Sequence, residues 1–585
     1  MEETVQVLFD EGALIRDGSS VKLTRSLNTL KIPPTVQGIL AARIDRLPSN
    51  AKDLLQTLAV IGSEFPLSLI HAVVPKSDEG LNRLLDDLQL GEFIYEQPTV
   101  GDPEYIFKHA LTQEVAYNSI LSDRRKLLHE RTGAAIETQF AASIDDHLSE
   151  LAHHYSCSAN VPKAIEYLER AGGGAVERSA YIEAVSHFRA ALELLRAMPH
   201  SQRRAERELA LLLALGPAVQ ATKGWSAPEA EAVYVRAREL CRELGETPQL
   251  FTTLFGLAAN YAVVGKYKPA REILDECLSI AQKRGDSNLL LQAYHLLGWV
   301  QTYTGMLASA RQSQDELIKS YDSKKHHSLA RLYGGDDPAV CCLAVRSMTL
   351  WLLGYPEQAV QTKEASLRLA QQLSHPFSRA VAISNTLFLD TFLREWTNAI
   401  DQAKAIVALY EDHGFSQYVP DGVLVQSLFA PDRATTEGVK RIRRDLANKE
   451  LKTGLSIFLG LFAEACIEGS DAHEAGAALA EALAIVERSG EHVWEAELFR
   501  LRGELKSANP VEAEADFRSA LEVARSQDAR SLELRATMSL ARLLRDTNRG
   551  DEARTMLAAI YSWFSEGFDT ADLKDAKALL DQLNA

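Results

Sequence analysis

The chain has 585 residues, too many for one hydrophobic core, so it predicts several domains or one extended repeat array. Its 46% hydrophobic and 24% charged residues are ordinary for a folded chain, and no apolar run approaches the roughly 20 residues of a membrane-spanning helix. A net charge of −17 argues against nucleic acid or an anionic membrane as the main partner.

The start, Met1-Glu2-Glu3-Thr4, is acidic where a signal peptide would be basic, which gives a cytoplasmic expectation. Glu3 to Glu11 reads as a helix. Ala13 to Leu23 reads as a small hairpin around Asp17-Gly18. Ile32-Pro33-Pro34-Thr35 opens a further helix that runs through Ile39 and Ile44 to Leu47-Pro48. Met1 enters this region in mid-element, which predicts that something precedes it.

Residues 49–110 read as three helices and a hairpin, a winged-helix pattern. Ser49 caps the first helix, with Leu54, Leu55 and Leu58 on one face. A short helix follows from Leu67 to Val74. Ser77 caps the third, with Leu81, Leu84, Leu85 and Leu88 inward. Phe93-Ile94-Tyr95 and Tyr105-Ile106-Phe107 flank a turn. The third helix carries Asp78, Glu79, Asp86 and Asp87 against Arg83, a sign that repels phosphate, so interdomain packing is expected rather than DNA binding. Residues 111–160 read as a helical connector. His153 and His154 within it are adjacent and point apart on a helix, whereas two metal ligands want i, i+4 spacing.

From 161 to 568 a repeat takes over. Its clearest copies lie between Phe251 and Tyr321. Leu254, Leu257, Ala258 and Tyr261 form one stripe, and Ala270, Leu274 and Cys277 a second, with Gly265 between them. Tyr294, Leu297, Gly298, Gly305, Ala310 and Leu317 repeat the scheme. Small residues at Ala258/Gly298 and Ala270/Ala310 let two helices approach closely. Equivalent anchors occur at Ala184, Ala230, Ala359, Ala399, weakly near Gly438, and at Ala475, Ala513 and Ala553, about 40 residues apart. Several copies fit the tetratricopeptide pattern, such as Gly172, Ala184, Phe188 and Ala191. Residues 569–585 read as a capping helix, with Leu573, Ala576 and Leu580 inward and Asp572, Lys574, Asp575 and Lys577 outward. The predicted fold is therefore all-α, a tetratricopeptide-like superhelix preceded by a small winged-helix region with short β-hairpins.

Two stretches break the period. Extra residues between Tyr321 and Pro338 form a candidate partner-binding loop carrying Lys324, Lys325, His326, His327, Tyr333, Asp336 and Asp337, because insertions in a solenoid tend to lie on a binding face. Residues 414–450 predict a local break in the superhelix. Six scattered cysteines with no CxxC pair indicate neither a zinc site nor a disulfide framework, and read as small buried hydrophobes. The chain has no GxxxxGK[ST]: Gly265-Lys266 follows Asn260 where the first glycine should stand. Without GxSxG or HExxH either, no catalytic residues, no metal site and no cofactor of its own are expected.

Certain segments carry a family resemblance. Thr35 to Pro48, Leu55 to Gly62 and Phe107-Lys108-His109-Ala110-Leu111 to Tyr117 resemble the segment that follows the ATPase core in bacterial STAND-type NTPases. With Gly224 to Pro228, Trp351 to Pro356 and Trp563 to Lys574, the chain is similar to large bacterial class III adenylate/guanylate cyclase-like proteins that join a cyclase, a STAND ATPase and a tetratricopeptide array. The resemblance implies a regulatory half, with residues 1–48 a remnant of the ATPase lid region and the cyclase and P-loop domains lying upstream. It also implies that His109 matches a winged-helix histidine that touches the β-phosphate of bound ADP, so ATP or ADP is relevant only with that upstream domain. The expected function is non-catalytic: a protein or peptide ligand, or a small effector, held in the superhelix groove, with the upstream ATPase and cyclase domains as further partners. Alternatives are one piece of a split adenylate/guanylate cyclase, or a transcriptional regulator using the winged helix.

Overall fold

Residues 14–17, 20–24, 36–98, 101–245, 247–333, 335–413, 419–448 and 452–584 are described by the structure, a computed structural model. The chain divides into two units, Met1–His200 and Ser201–Ala585. The expected helix Glu3–Glu11 lies outside the described residues. The boundary at 200 falls one helical pair inside the predicted array, so the pair Val161–Glu177 and Tyr181–Arg196 goes with the first unit.

In the first unit, strands β1 (Leu14–Asp17) and β2 (Ser20–Leu23) form the expected hairpin, pairing Leu14 with Leu23 and Asp17 with Ser20. Helix Val36–Asp45 comes next, and three more follow at Ser49–Ile61, Leu67–Val73 and Asp78–Leu90. They pack on a three-stranded antiparallel sheet of β3 (Glu64–Pro66), β4 (Ile94–Gln97) and β5 (Glu104–Phe107), in the order β3-β5-β4. The sequence shows only the hairpin. β3 escapes it because three residues ending in proline carry no alternation to read. Leu54, Leu55, Leu58, Leu81, Leu85 and Leu88 are buried as their spacing requires, and Leu84 is half-buried. Of the two expected serine caps, Ser77 holds the cap position and Ser49 does not. Pro48 occupies the cap position and Ser49 is the first helical residue, while the Ser77 side chain accepts no capping bond.

In the second unit the anchors explain the packing. Ala230, Ala270, Ala310, Ala359, Ala399, Ala475, Ala513 and Ala553 are all 0% exposed, each at the point where the second helix of a pair meets the first. Leu250–Val263 packs with Tyr267–Arg284, and Ser287–Tyr303 with Leu307–Ser320. A larger side chain at an anchor would overpack the seam at a cost of about 1–3 kcal/mol. The weak anchor Gly438 is small for a different reason: a Cβ there would collide with the Asp432 carbonyl. Within the expected break, the described residues still form two short helices, Val419–Leu428 and Thr436–Ala447.

The array coils tightly enough for distant repeats to touch. Glu491, fully buried, accepts hydrogen bonds from Tyr267 Oη at 2.9 Å, Gly454 N at 3.0 Å, Ser456 N at 2.9 Å and Ser456 Oγ at 2.5 Å. Burial pushes its carboxyl above the usual range despite those donors. Lys452 N donates to Val263 O at 3.1 Å. Further along, Ser531 Oγ donates to Trp351 O at 2.5 Å and Arg535 Nη2 to Phe392 O at 2.7 Å. The last helix, Ala571–Asn584, buries Leu573, Ala576 and Leu580 as expected. Asp572, expected outward, is buried instead, paired with Arg535 Nε at 2.8 Å and with Arg394. Arg535 sits on helix Arg530–Asp546 and Arg394 in the turn after helix Pro376–Phe392, which helical spacing alone does not reveal.

The resemblance segments Trp351–Pro356 and Trp563–Lys574 meet in space. Gly354 has φ +91°, and a Cβ there would lie 2.5 Å from Trp563 Cζ3. Tyr355 meets the Trp563 ring edge to face at 5.7 Å. Glu566 Oε1 accepts from Glu357 N at 3.0 Å and Gln358 N at 3.1 Å, capping helix Pro356–Leu373 from a remote part of the chain.

Candidate functional site

Helix Ser287–Tyr303 turns two faces to the second unit. Leu297 and Gly298 serve the repeat seam. Gln292, His295, Trp299 and Tyr303, spaced by three or four residues, line a cavity of about 210 Å³. Helix Pro376–Phe392 presents Phe377, Val381, Ser384, Asn385 and Phe388 to the same space by the same periodicity. Trp225, Phe255, Tyr410 and Phe458 complete a largely aromatic wall. The space exceeds that of a cavity of about 150 Å³ that holds a benzene ring, so it accommodates a one- or two-ring group.

The polar groups gather at one side. His295 Nε2 lies 3.5 Å from Asp336 Oδ2, and His295 Nδ1 lies 3.4 Å from Gln292 Oε1. Asp336 Oδ2 is buried with no hydrogen-bond partner. Cys341, in the first turn of helix Pro338–Leu352, joins them: one ligand-capable atom from each of His295, Asp336 and Cys341 lies within 4.8 Å of the others. Burial, and then the Asp336 charge, pushes the Cys341 thiol well above its usual range. Ser384 Oγ and Tyr410 Oη share a hydrogen bond of 2.7 Å on another part of the wall.

The candidate loop contributes in part. It folds as two short helices, Ser323–His326 and Ser328–Leu332. Tyr333 turns inward, meeting the Phe255 ring at 4.9 Å, and lines the cavity beside Asp336. Burial pushes the Tyr333 hydroxyl up to about 12. Lys324 and Lys325 are exposed. His326 is buried, its Nδ1 accepting from Asp322 N at 2.8 Å. Asp337 is 0% exposed. It accepts from Tyr321 Oη at 2.7 Å and from Ala339 N and Val340 N at 3.0 and 3.2 Å, and its Oδ2 lies 3.2 Å from His327 Nδ1. These contacts bury Asp337 as the cap of the next helix, within the segment expected to be a partner-binding loop. The sequence pattern does not single out His295, and Cys341 reads there as a small buried hydrophobe. The available signal was the His295, Trp299, Tyr303 spacing at i, i+4 and i+8.

In the first unit, His109 is exposed at the residue preceding helix Ala110–Asn118, where backbone N–H groups and the helix dipole favour an anion. On the helix Asp78–Leu90, Asp78, Glu79, Asp86 and Asp87 are exposed. His153 is exposed and His154 buried, yet their rings lie 5.4 Å apart and both meet the His129 ring. His154 Nδ1 lies 3.0 Å from His129 Nδ1, and Tyr117 Oη lies 3.0 Å from His129 Nε2. His129, His153 and Cys157 form a second convergent group, with His153 and Cys157 at the i, i+4 spacing that the adjacent histidines lack. Burial lowers His129 to about 4 and His154 to about 3. Among the described residues no helix is long and apolar enough to cross a membrane.

Residues 249–323 match the tetratricopeptide repeat family. An uncharacterized protein of Rhizobium meliloti is 27% identical over 541 residues, covering 90% of this chain and 51% of that protein, so the chain spans about half the length of that relative. Among solved structures, a signal transduction ATPase with numerous domains (STAND) from Pyrococcus horikoshii, with a tetratricopeptide repeat sensor, is similar at 12% identity and a TM-score of 0.42, covering 81% of this chain and 68% of its own. A Rap protein complexed with competence and sporulation factor is similar at 13% identity and a TM-score of 0.42, covering 62% of this chain and 98% of its own.

Proposed function

We propose that this chain is a non-catalytic regulatory module whose repeat region takes an effector in the aromatic cavity. The observation that carries the reading is the make-up of the wall. Residues from Trp225 to Phe458 face one space, so an occupant touches many repeats at once. A ligand that binds one curvature of the array better than another shifts the population by that difference, typically 1–3 kcal/mol. The effector is a small molecule or the apolar side chain of a peptide segment, since the packed inner face leaves room for a group of that size.

In a longer protein, the first unit would pass the signal on. Its three helices and three-stranded sheet read as a winged helix of the STAND kind, with a P-loop ATPase and a cyclase-like domain upstream. His109, exposed at a helix N-terminus, suits a phosphate oxygen of ADP held by that ATPase.

The cavity reading is tested by ligand-observed NMR with indole and other one- and two-ring fragments. Binding to the wild-type chain that disappears in Val381→Trp, which fills the cavity, supports it. No binding, or binding unchanged in Val381→Trp, removes it. The ADP reading is tested by fusing an ATPase domain upstream, where His109→Ala should weaken ADP binding; an unchanged affinity sinks that part alone.

A further inference from the structure

We propose that His295, Asp336 and Cys341 bind one divalent transition-metal ion of the zinc class, with its fourth coordination position open to the aromatic cavity.

The argument starts from the lone pairs. With Nδ1 of His295 donating to Gln292 Oε1, 3.4 Å away, the neutral imidazole presents its Nε2 lone pair. That lone pair faces Asp336 Oδ2 at 3.5 Å, and Oδ2 is buried without a hydrogen-bond donor. In that neutral form two electron-rich atoms stand face to face in a buried site, and a metal ion between them, like a proton on Nε2, would relieve the opposition. Cys341 Sγ completes a triangle whose atoms lie within 4.8 Å of one another.

The dimensions fit a metal. A tetrahedral ion with bonds of about 2.0–2.1 Å to nitrogen and oxygen sets those ligand atoms roughly 3.4 Å apart. The separation of 3.5 Å between Nε2 and Oδ2 matches that edge. Nitrogen, oxygen and sulfur donors together select zinc-class ions over magnesium or calcium. Gln292 plays the outer role that orients a ligating imidazole. Three protein ligands leave one vertex, and all three residues line the cavity. Water or an anionic donor group of an occupant would fill that vertex.

Binding replaces the thiol proton with the metal: Cys341–SH and M²⁺ give the thiolate–metal bond and one proton released to solvent. Affinity therefore rises with pH. The second group, His129, His153 and Cys157, is weaker, because Tyr117 and His154 already engage both ring nitrogens of His129.

The inference concerns the ion alone and does not rest on the effector reading. The test titrates Co²⁺ into the full chain after chelator treatment, with folding followed by circular dichroism. One equivalent should produce the thiolate-to-cobalt charge-transfer band and the visible bands of tetrahedral Co²⁺, and Zn²⁺ should displace both. Cys341→Ser should lose the charge-transfer band, Gln292→Leu should weaken binding about 10–100-fold, and Cys157→Ser should change nothing. No charge-transfer band in the folded wild-type chain overturns the proposal. So does a band that survives in folded Cys341→Ser or vanishes in Cys157→Ser. If Cys341→Ser misfolds, a band retained at full affinity by folded Asp336→Asn overturns it equally.

Discussion

Tyr267 and Glu491, 224 residues apart in sequence, share a buried hydrogen bond of 2.9 Å. The carboxylate also receives the backbone of Gly454 and Ser456, so one side chain joins three separated stretches of the array. Tyr267→Phe removes one donor and should cost about 1 kcal/mol. Glu491→Ala strands several buried donors and should cost about 3–5 kcal/mol. Urea titration followed by tryptophan fluorescence separates the two, and equal effects would mean that the carboxylate is not the hub.

Gly354 should resist substitution. Its φ of +91° costs an alanine about 1–3 kcal/mol, and the added Cβ meets Trp563. Gly354→Ala should therefore lose about 2–4 kcal/mol. Trp563→Ala in the same chain should relieve the clash with the ring and leave the backbone part and the contact with Arg530 Cβ at 2.8 Å. The measurement is a double-mutant cycle by urea titration, with a coupling of about 1–2 kcal/mol expected.

Acid should weaken the first unit through His129 and His154. Their folded values, about 4 and about 3, lie below the ordinary 6.5. The unfolded chain therefore binds protons that the folded chain refuses, and stability falls as pH drops from about 6.5 toward 4. By pH 5 the loss should be on the order of 2 kcal/mol for each histidine taken alone. Thermal melts of the full chain between pH 8 and pH 5 read it, and His129→Gln should flatten the slope.

Asp337 should hold the inserted segment in place. It caps helix Pro338–Leu352 and takes the Tyr321 hydroxyl. Asp337→Ala should cost about 1–2 kcal/mol and expose Ser323–Leu332 to limited proteolysis. Cleavage no faster than in the wild-type chain would assign the order of that segment elsewhere.

The helical pairs were legible because one small residue per pair is a local, periodic signal. Ala270 and Ala310 are found by counting, and both prove fully buried. The cavity was not legible, because its wall comes from residues spread over much of the second unit, and the curvature that unites them is a sum of small rotations between neighbours. His295 was not legible because the repeat pattern at Leu297 and Gly298 marks only the seam face of its helix, and His295 lies on the adjacent one. The insertion was noticed for its length, but length says nothing about direction: Tyr333 and Asp336 go inward while Lys324 and Lys325 stay out. Asp572 failed for the same reason, since its arginine partners belong to another helix and to a distant turn.

Glu566 bears on the order in which the protein can be completed during synthesis. Helix Pro356–Leu373 forms long before the carboxylate that covers its leading amides has been translated. Until residues 563–567 leave the ribosome, the middle of the array waits with its Gly354 flank bare to chaperones and proteases. A premature stop just ahead of Trp563 would therefore damage a region two hundred residues upstream, which is where a degradation signal in such a variant should be sought.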